Sequence, residues 1–149
     1  MPLPSKEMIE KAMVQEHNIK ILTLTNSKIK QEKNDILQRL QLDREKLKLF
    51  HTKLKSYRFV ETTDDIIIGN YIRWINISNP EKIVLTNGAI VTDFKEVSQT
   101  VYLVCKTNFG RFFNVDINKC LIFQKFNLQE ETLLSVINYL EKNSINSYQ

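Results

Sequence analysis

The sequence predicts an α+β protein: a long helical arm, a small antiparallel β-barrel after it, and a C-terminal helix. Three observations carry this. Residues 27–57 contain neither Gly nor Pro and are rich in Lys, Gln, Glu, Leu and Arg, all good helix formers. Residues 64–126 break into short apolar runs separated by turn signals. A capped, amphipathic stretch then begins at Asn127.

The first 60 residues read as the arm. Met8, Ile9, Ala12 and Met13 suit a short helix after Pro4-Ser5. Residues 18–26, NIKILTLTN, are open between strand and helix, because alternation argues one and continuity the other. Thr25, Asn26 and Ser27 are candidate N-caps for the main helix. From there apolar residues recur at alternating steps of four and three. The seam is Ile29, Lys33, Ile36, Leu40, Asp43, Leu47, Phe50, Leu54 and Tyr57, seven of nine positions being apolar. That is a coiled-coil-like pattern from about residue 27. Lys33 and Asp43 interrupt it, as polar residues that set register do in coiled coils. One reading lays the helix on its own domain. The favoured reading is intermolecular, because a helix of about 30 residues spans about 45 Å, longer than a small barrel is wide. The sequence thus predicts a homo-oligomer through residues 29–57, or docking of that face on another protein. Ile36, Leu40, Leu47, Phe50 and Leu54 are its candidate contacts.

Residues 64–143 read as the barrel domain. Its opening stretch, DDIIIGNYIRWINIS, splits by alternation into two faces. Ile66, Ile68, Ile72 and Trp74 make the expected core face. Ile67, Tyr71, Arg73, Ile75 and Ile77 make the other, which is too apolar for ordinary solvent exposure. Tyr71, Arg73 and Ile75 are therefore candidate interaction residues, Tyr and Arg being enriched at protein interfaces. Asn79-Pro80-Glu81 separates this strand from KIVLT at 82–86, and Asn87-Gly88 predicts a two-residue type I′ hairpin. Ser98-Gln99, Asn108–Gly110 and Asn118-Lys119 mark the remaining turns, giving five or six short strands. Asn127 and Glu130 form a capping-box pattern. Leu133, Leu134, Val136, Ile137 and Leu140 make an apolar stripe that is expected to pack on the barrel's open end, and the last residues read as frayed.

Size and composition bound the class. The chain has 149 residues, 42% hydrophobic and 26% charged, which is a globular composition. No apolar run approaches the roughly 20 residues of a membrane-spanning helix, so no span is predicted. The N-terminus lacks an uninterrupted apolar segment, and no secretory signal is predicted. Net charge is +4, unevenly placed. Residues 1–60 carry 13 Lys/Arg against 7 Asp/Glu, net +6, and residues 61–149 carry 8 against 10, net −2. Asn, Ile and Lys are over-used, at 14, 17 and 16 residues, which points to an AT-rich genome.

Motifs that carry chemistry are absent from the sequence. Its two histidines, His17 and His51, both fall in the arm. Asp64-Asp65 and Glu130-Glu131 are adjacent pairs whose side chains diverge, and Glu130 is already used for capping. Neither Asp93 nor Asp116 has a neighbour that would make it an acid or a base. Cys105 and Cys120 sit in apolar runs and read as buried free thiols, with no metal-ligand spacing. The sequence therefore predicts no enzyme, no metal and no cofactor. Aromatic residues abound in the barrel region, but alternation sends many inward. Its net −2 charge argues against phosphate binding, so nucleic acid ranks second to protein as a partner.

GNYIRWINIS, KIVLTNGAIVTDF, VYLVCKTN and RFFNVDINKCLIFQKF, in that order and followed by an acidic-capped helix, resemble a small protein family of the nucleocytoplasmic large DNA viruses. The resemblance spans about residues 66–142. It implies a structural role, as a minor capsid or internal virion protein, and assigns no site residues. The barrel also looks like SH3-like and Sm-like folds, although the glycine-rich second motif of the latter is missing. The expectation is a virion-associated structural protein, located in the virion and in host cytoplasm during assembly. It would associate through its arm with itself or other virion proteins and dock through its barrel. The alternative is a nucleic-acid-associated small barrel with a basic arm.

Overall fold

The computed structural model describes residues 5–8 and 26–147. By internal contacts the chain divides into two compact units, Lys33–Lys125 and a unit made of Met1–Glu32 with Phe126–Gln149. Among the described residues, no helix is long and apolar enough to cross a membrane.

The predicted long arm is not there. Its place is taken by two helices and a strand: α1 (Asn26–Gln38), α2 (Arg44–Lys53) and β1 (Tyr57–Val60). Asn26 and Ser27, proposed above as caps, are already helical, and Thr25 lies outside the described residues. The helix breaks at Gln41, whose φ is +53°, and restarts at Asp43. The Asp43 carboxylate accepts a hydrogen bond from Lys46 N at 2.8 Å. What reads as a polar interruption of a seam is thus an N-cap, which supplies an acceptor that the first turn lacks. Lys33, the other interruption, is buried, and its Nζ donates to Leu54 O at 2.8 Å and Tyr57 O at 2.9 Å. It serves carbonyls at the exit of α2, where a helix leaves acceptors unpaired.

Among the described residues, six strands form one antiparallel sheet: β1, β2 (Tyr71–Asn76), β3 (Ala89–Val97), β4 (Thr100–Lys106), β5 (Phe112–Asp116) and β6 (Cys120–Lys125). The order is β1-β6-β2-β3-β4-β5, so β1 and β5 are the edges. The antiparallel class is as predicted; the ladders leave the sheet open. It is nonetheless strongly bent. β5 and β6 are four strand spacings apart in the order, about 19 Å if flat. The chain from Asp116 to Cys120 spans at most about 14 Å. The short turn at 117–119 can only be made if the sheet curls.

Alternation on β2 holds from Tyr71 onward. Ile72 is fully buried in a cluster with Val60, Ile66, Ala89, Val91, Leu103, Cys105, Val115 and Ile122, and Trp74 packs against it. Every strand contributes to this cluster, which fills the concave side of the bend. Ile75, placed above on a candidate outer face, is fully buried on the opposite side of the sheet. There it meets Leu37 of α1, Phe50 of α2, Leu54, Tyr57, Ile83, Leu85 and Phe123, with Ile36, Leu40 and Leu47 half-buried around them. The residues proposed as an intermolecular seam are therefore spent within the chain: the helices fold back and cover β2 and β6.

Three local predictions are corrected. The opening strand begins at Tyr71 and not at Ile66, after a 3-10 turn at 63–65, and Ile68, expected on the core face, is exposed. The run 82–86 is not a strand; it contributes one bridge, Leu85 to Ile75, and the buried side chain of Ile83. Asn87-Gly88 is not a type I′ hairpin, because only Gly88 has positive φ, +92°. The two-residue turn with positive φ at both positions is Ser98-Gln99, at +50° and +68°.

In the other unit, α3 (Leu128–Ser147) carries the predicted cap. Glu130 N donates to Asn127 Oδ1 at 2.8 Å, and Asn127 N to Glu130 Oε1 at 3.1 Å. Leu133, Leu134 and Phe126 cluster with Ile29. Leu140, assigned above to the apolar stripe, is 60% exposed, and the helix runs to Ser147, into the stretch expected to fray, whose last two residues lie outside the described ones. Lys6, Glu7 and Met8 are helical after Ser5, whose Oγ accepts from Met8 N at 3.2 Å; the rest of that predicted helix and residues 18–25 lie outside the described residues.

Candidate functional site

The most exposed apolar surface of the unit Lys33–Lys125 sits on the β4–β5 hairpin. Its loop is Asn108–Gly110, with Gly110 at φ +79°. Gly110 N donates to Thr107 O at 3.0 Å and Thr107 N to Arg111 O at 2.8 Å. This is a three-residue loop closed by a glycine in the left-handed region. It holds Phe109 at its tip, 95% exposed. On β5, Phe112 and Phe113 point to opposite faces, and both stay open to solvent, at 63% and 45%. Three such rings at one hairpin are more than the scattered single apolar residues of an ordinary surface.

Cations flank them. Lys106 pairs directly with Phe112 across the ladder, and its Nζ lies 5.6 Å from the ring centroid, a cation–π contact. Arg111 is exposed between Phe109 and Phe112. A groove of about 620 Å³ runs beside the hairpin, lined by Tyr71, Asn87, Gly88, Phe109, Arg111 and Phe113 among others, with no carboxylate in its wall.

Among the described residues the edge itself is unpaired. Antiparallel pairs alternate between hydrogen-bonded and non-bonded. Thr107–Arg111 is bonded, so Cys105–Phe113 and Leu103–Val115 are the bonded pairs further along. Phe112, Asn114 and Asp116 therefore turn their N–H and C=O groups away from β4. The Asp116 carbonyl accepts from Lys119 N at 3.1 Å in the next turn. Among the described residues, Phe112 and Asn114 have no such partner, and the outward side of β5 is a free ladder.

Of the residues singled out from sequence, Tyr71 lines this groove. Its hydroxyl donates to Asn87 O at 2.8 Å. Arg73 lies two residues on and ties the same loop down: Nε donates to Thr86 O at 2.8 Å and Nη1 to Lys53 O at 3.3 Å. Ile75 is core, as are Phe50 and Leu54, and Ile36, Leu40 and Leu47 are half-buried beside them. The hairpin phenylalanines, Lys106 and Arg111 were not singled out. The signal was in NFGRFF: two adjacent Phe in a strand cannot both face inward, and a Phe beside a turn Gly sits at a tip.

The thiols are free and shielded. Burial pushes Cys105 up to about 12. Burial, and then the neighbouring Asp116 carboxylate, push Cys120 up to about 11. Neither is a thiolate at neutral pH, so neither is poised as a nucleophile. Among the described residues, no three His, Cys, Asp or Glu side chains group as a metal site requires. His51 Nε2 lies 3.1 Å from Asn34 Oδ1, on the helical side of the sheet and away from the hairpin.

No family model, no curated protein and no solved structure matches this chain.

Proposed function

We propose that the chain is a non-catalytic protein-interaction module that docks through the aromatic edge of its β4–β5 hairpin. One observation carries this: Phe109, Phe112 and Phe113 are exposed together beside an unpaired strand edge. Aromatic residues and Arg are enriched at the centres of protein interfaces. The strand order, the curl and the turn at 117–119 support reading the sheet as a partly open barrel of SH3-like type, a scaffold that presents loops at its rim. The resemblance to the large DNA virus family supports a virion setting, with the host cytoplasm as the place of assembly and other virion components or the chain itself as partners. The contact surface in this reading is the hairpin; the seam of residues 29–57 is consumed in the core.

A second reading rests on the groove's lack of carboxylates. Exposed rings beside Lys106 and Arg111 could stack single-stranded bases while the cations meet phosphates. It ranks second because two cations neutralise little backbone charge.

A photo-crosslinking phenylalanine analogue in place of Phe109 tests both. In the native setting it should capture a polypeptide. Capture of nucleic acid alone, with affinity falling steeply in salt, would establish the second reading instead. No product above that of an analogue at exposed Glu96 would overturn both.

A further inference from the structure

We propose that β5 pairs edge to edge with β5 of a second copy of this chain, antiparallel, about a two-fold axis at Phe113. The inference rests on reading the aromatic edge as protein-binding, and it names the partner.

The outward ladder is two residues long. Phe112 and Asn114 turn N–H and C=O outward, while the next carbonyl, that of Asp116, is occupied by Lys119 N. One antiparallel register uses each free group once. With Phe113 on the axis, Phe112 of each copy faces Asn114 of the other, and each facing pair exchanges two N–H···O bonds. Phe113 then faces its own copy as a non-hydrogen-bonded pair, the closer kind, with Cα atoms about 4.5 Å apart. Both rings are half-exposed in the single chain, so each gains cover from the other. A closed two-fold contact of this kind is self-complementary by construction.

Charge selects the same partner. β5 begins beside Arg111 and opposite Lys106, and it ends in Asp116. An antiparallel copy sets the cationic end of each strand against the acidic end of the other. Parallel pairing would set like against like. An extended segment of arbitrary sequence has no such match.

Among the described residues nothing guards this edge. Solvent-facing edges usually carry Lys, Pro or a bulge that prevents pairing. Phe112–Asp116 has neither Lys nor Pro, and the irregularity in the neighbouring ladder lies between β3 and β4, at Val91/Asp93. The opposite edge, β1, is only four residues long and covers its Arg58 side chain.

The test uses the full chain. Sedimentation from sub-micromolar to high-micromolar concentration should show a monomer–dimer equilibrium. Asn114→Pro removes an outward N–H at a position where an edge strand tolerates proline. It should weaken the dimer about tenfold or more, with the urea midpoint unchanged. In a Cys105→Ala background, which removes the thiol that faces position 113 across the hairpin, Phe113→Cys should give a disulfide-linked dimer on mild oxidation, because the facing positions satisfy the Cα separation of a disulfide. Glu96→Cys should not. The cysteine variant keeps the test decisive if the proline variant fails to fold. A dimer indifferent to Asn114→Pro, or Phe113→Cys that links no better than Glu96→Cys, would overturn the inference. A monomer at every concentration would also overturn it. If the crosslinker at Phe109 then still captures another polypeptide, the interaction reading stands and only the second copy is wrong. If it captures none, both fall.

Discussion

Gly88 is held by two constraints at once. Its φ of +92° is open to few L residues, and a Cβ there would meet Tyr71 Cε1 at 2.8 Å and Arg73 Cγ at 2.9 Å. Those two side chains are fixed by their own hydrogen bonds to Asn87 O and Thr86 O, so they cannot give way cheaply. Gly88→Ala should cost about 2–4 kcal/mol, read from the urea midpoint, since strain and overpacking add. Lys33→Met would take the Nζ donor from Tyr57 O and from Leu54 O, which keeps only the Tyr57 N–H, and about 1–3 kcal/mol should be lost. His51 titrates below its ordinary 6.5, because of burial and then the nearby Lys33 charge. A folded value below the unfolded one means that the unfolded chain takes up the proton first. The contribution of His51 is therefore fully present above about 6.5 and fades as pH falls through its folded value. His51→Gln should flatten that limb of a stability–pH curve; an unchanged slope would show that another group sets it.

At the scale of elements, the outcome turned on how a helix ends. Residues 29–57 do carry an apolar period, and α1 and α2 do bury it, but against β2 and β6 of the same chain. Periodicity reports which face is apolar and is silent on what covers it. The break at Gln41 was legible only as Asp43, a residue equally at home as a seam interruption and as a cap. Asp43→Ala should lower stability by about 0.5–2 kcal/mol. Leu54→Ala should lower it by about 2–5 kcal/mol, in a monomer as in any assembly, because Leu54 is fully buried. If Leu54→Ala weakened association and left the urea midpoint alone, the helices would have an intermolecular role after all. The Asn87-Gly88 misreading has a similar cause. Turn propensity is local, whereas Gly88 is needed for close approach to β2. The true two-residue turn uses Ser98-Gln99, a pair with little intrinsic preference for positive φ, held by the long β3–β4 ladder.

For the chain as a whole, the antiparallel class and the places of β3 to β6 along the sequence were readable, because period-two patterning and turns are written residue by residue; the insertion of β6 between β1 and β2, where a simple meander was expected, was not. The exposed site was harder to read, since an aromatic run looks the same whether it fills a core or rims one. Only the register, with Val115 inside and Phe112 and Asn114 outside, separates the two. The partition at Lys33 and Lys125 predicts that residues 26–125, which keep α1 whole, unfold cooperatively in urea on their own. A broad, non-cooperative transition would refute that autonomy. The position of β6 carries one more consequence, and it concerns time. β6, the last strand along the described residues, is inserted between β1 and β2 and is not paired with its sequence neighbour β5. Until it emerges from the ribosome, β2 ends the growing sheet and β1 has nothing to pair with. Such late, non-local closure slows folding and lengthens the interval in which strand edges are open to other chains. A nascent chain of this kind is most vulnerable until β6 has emerged, and chaperone dependence should peak there.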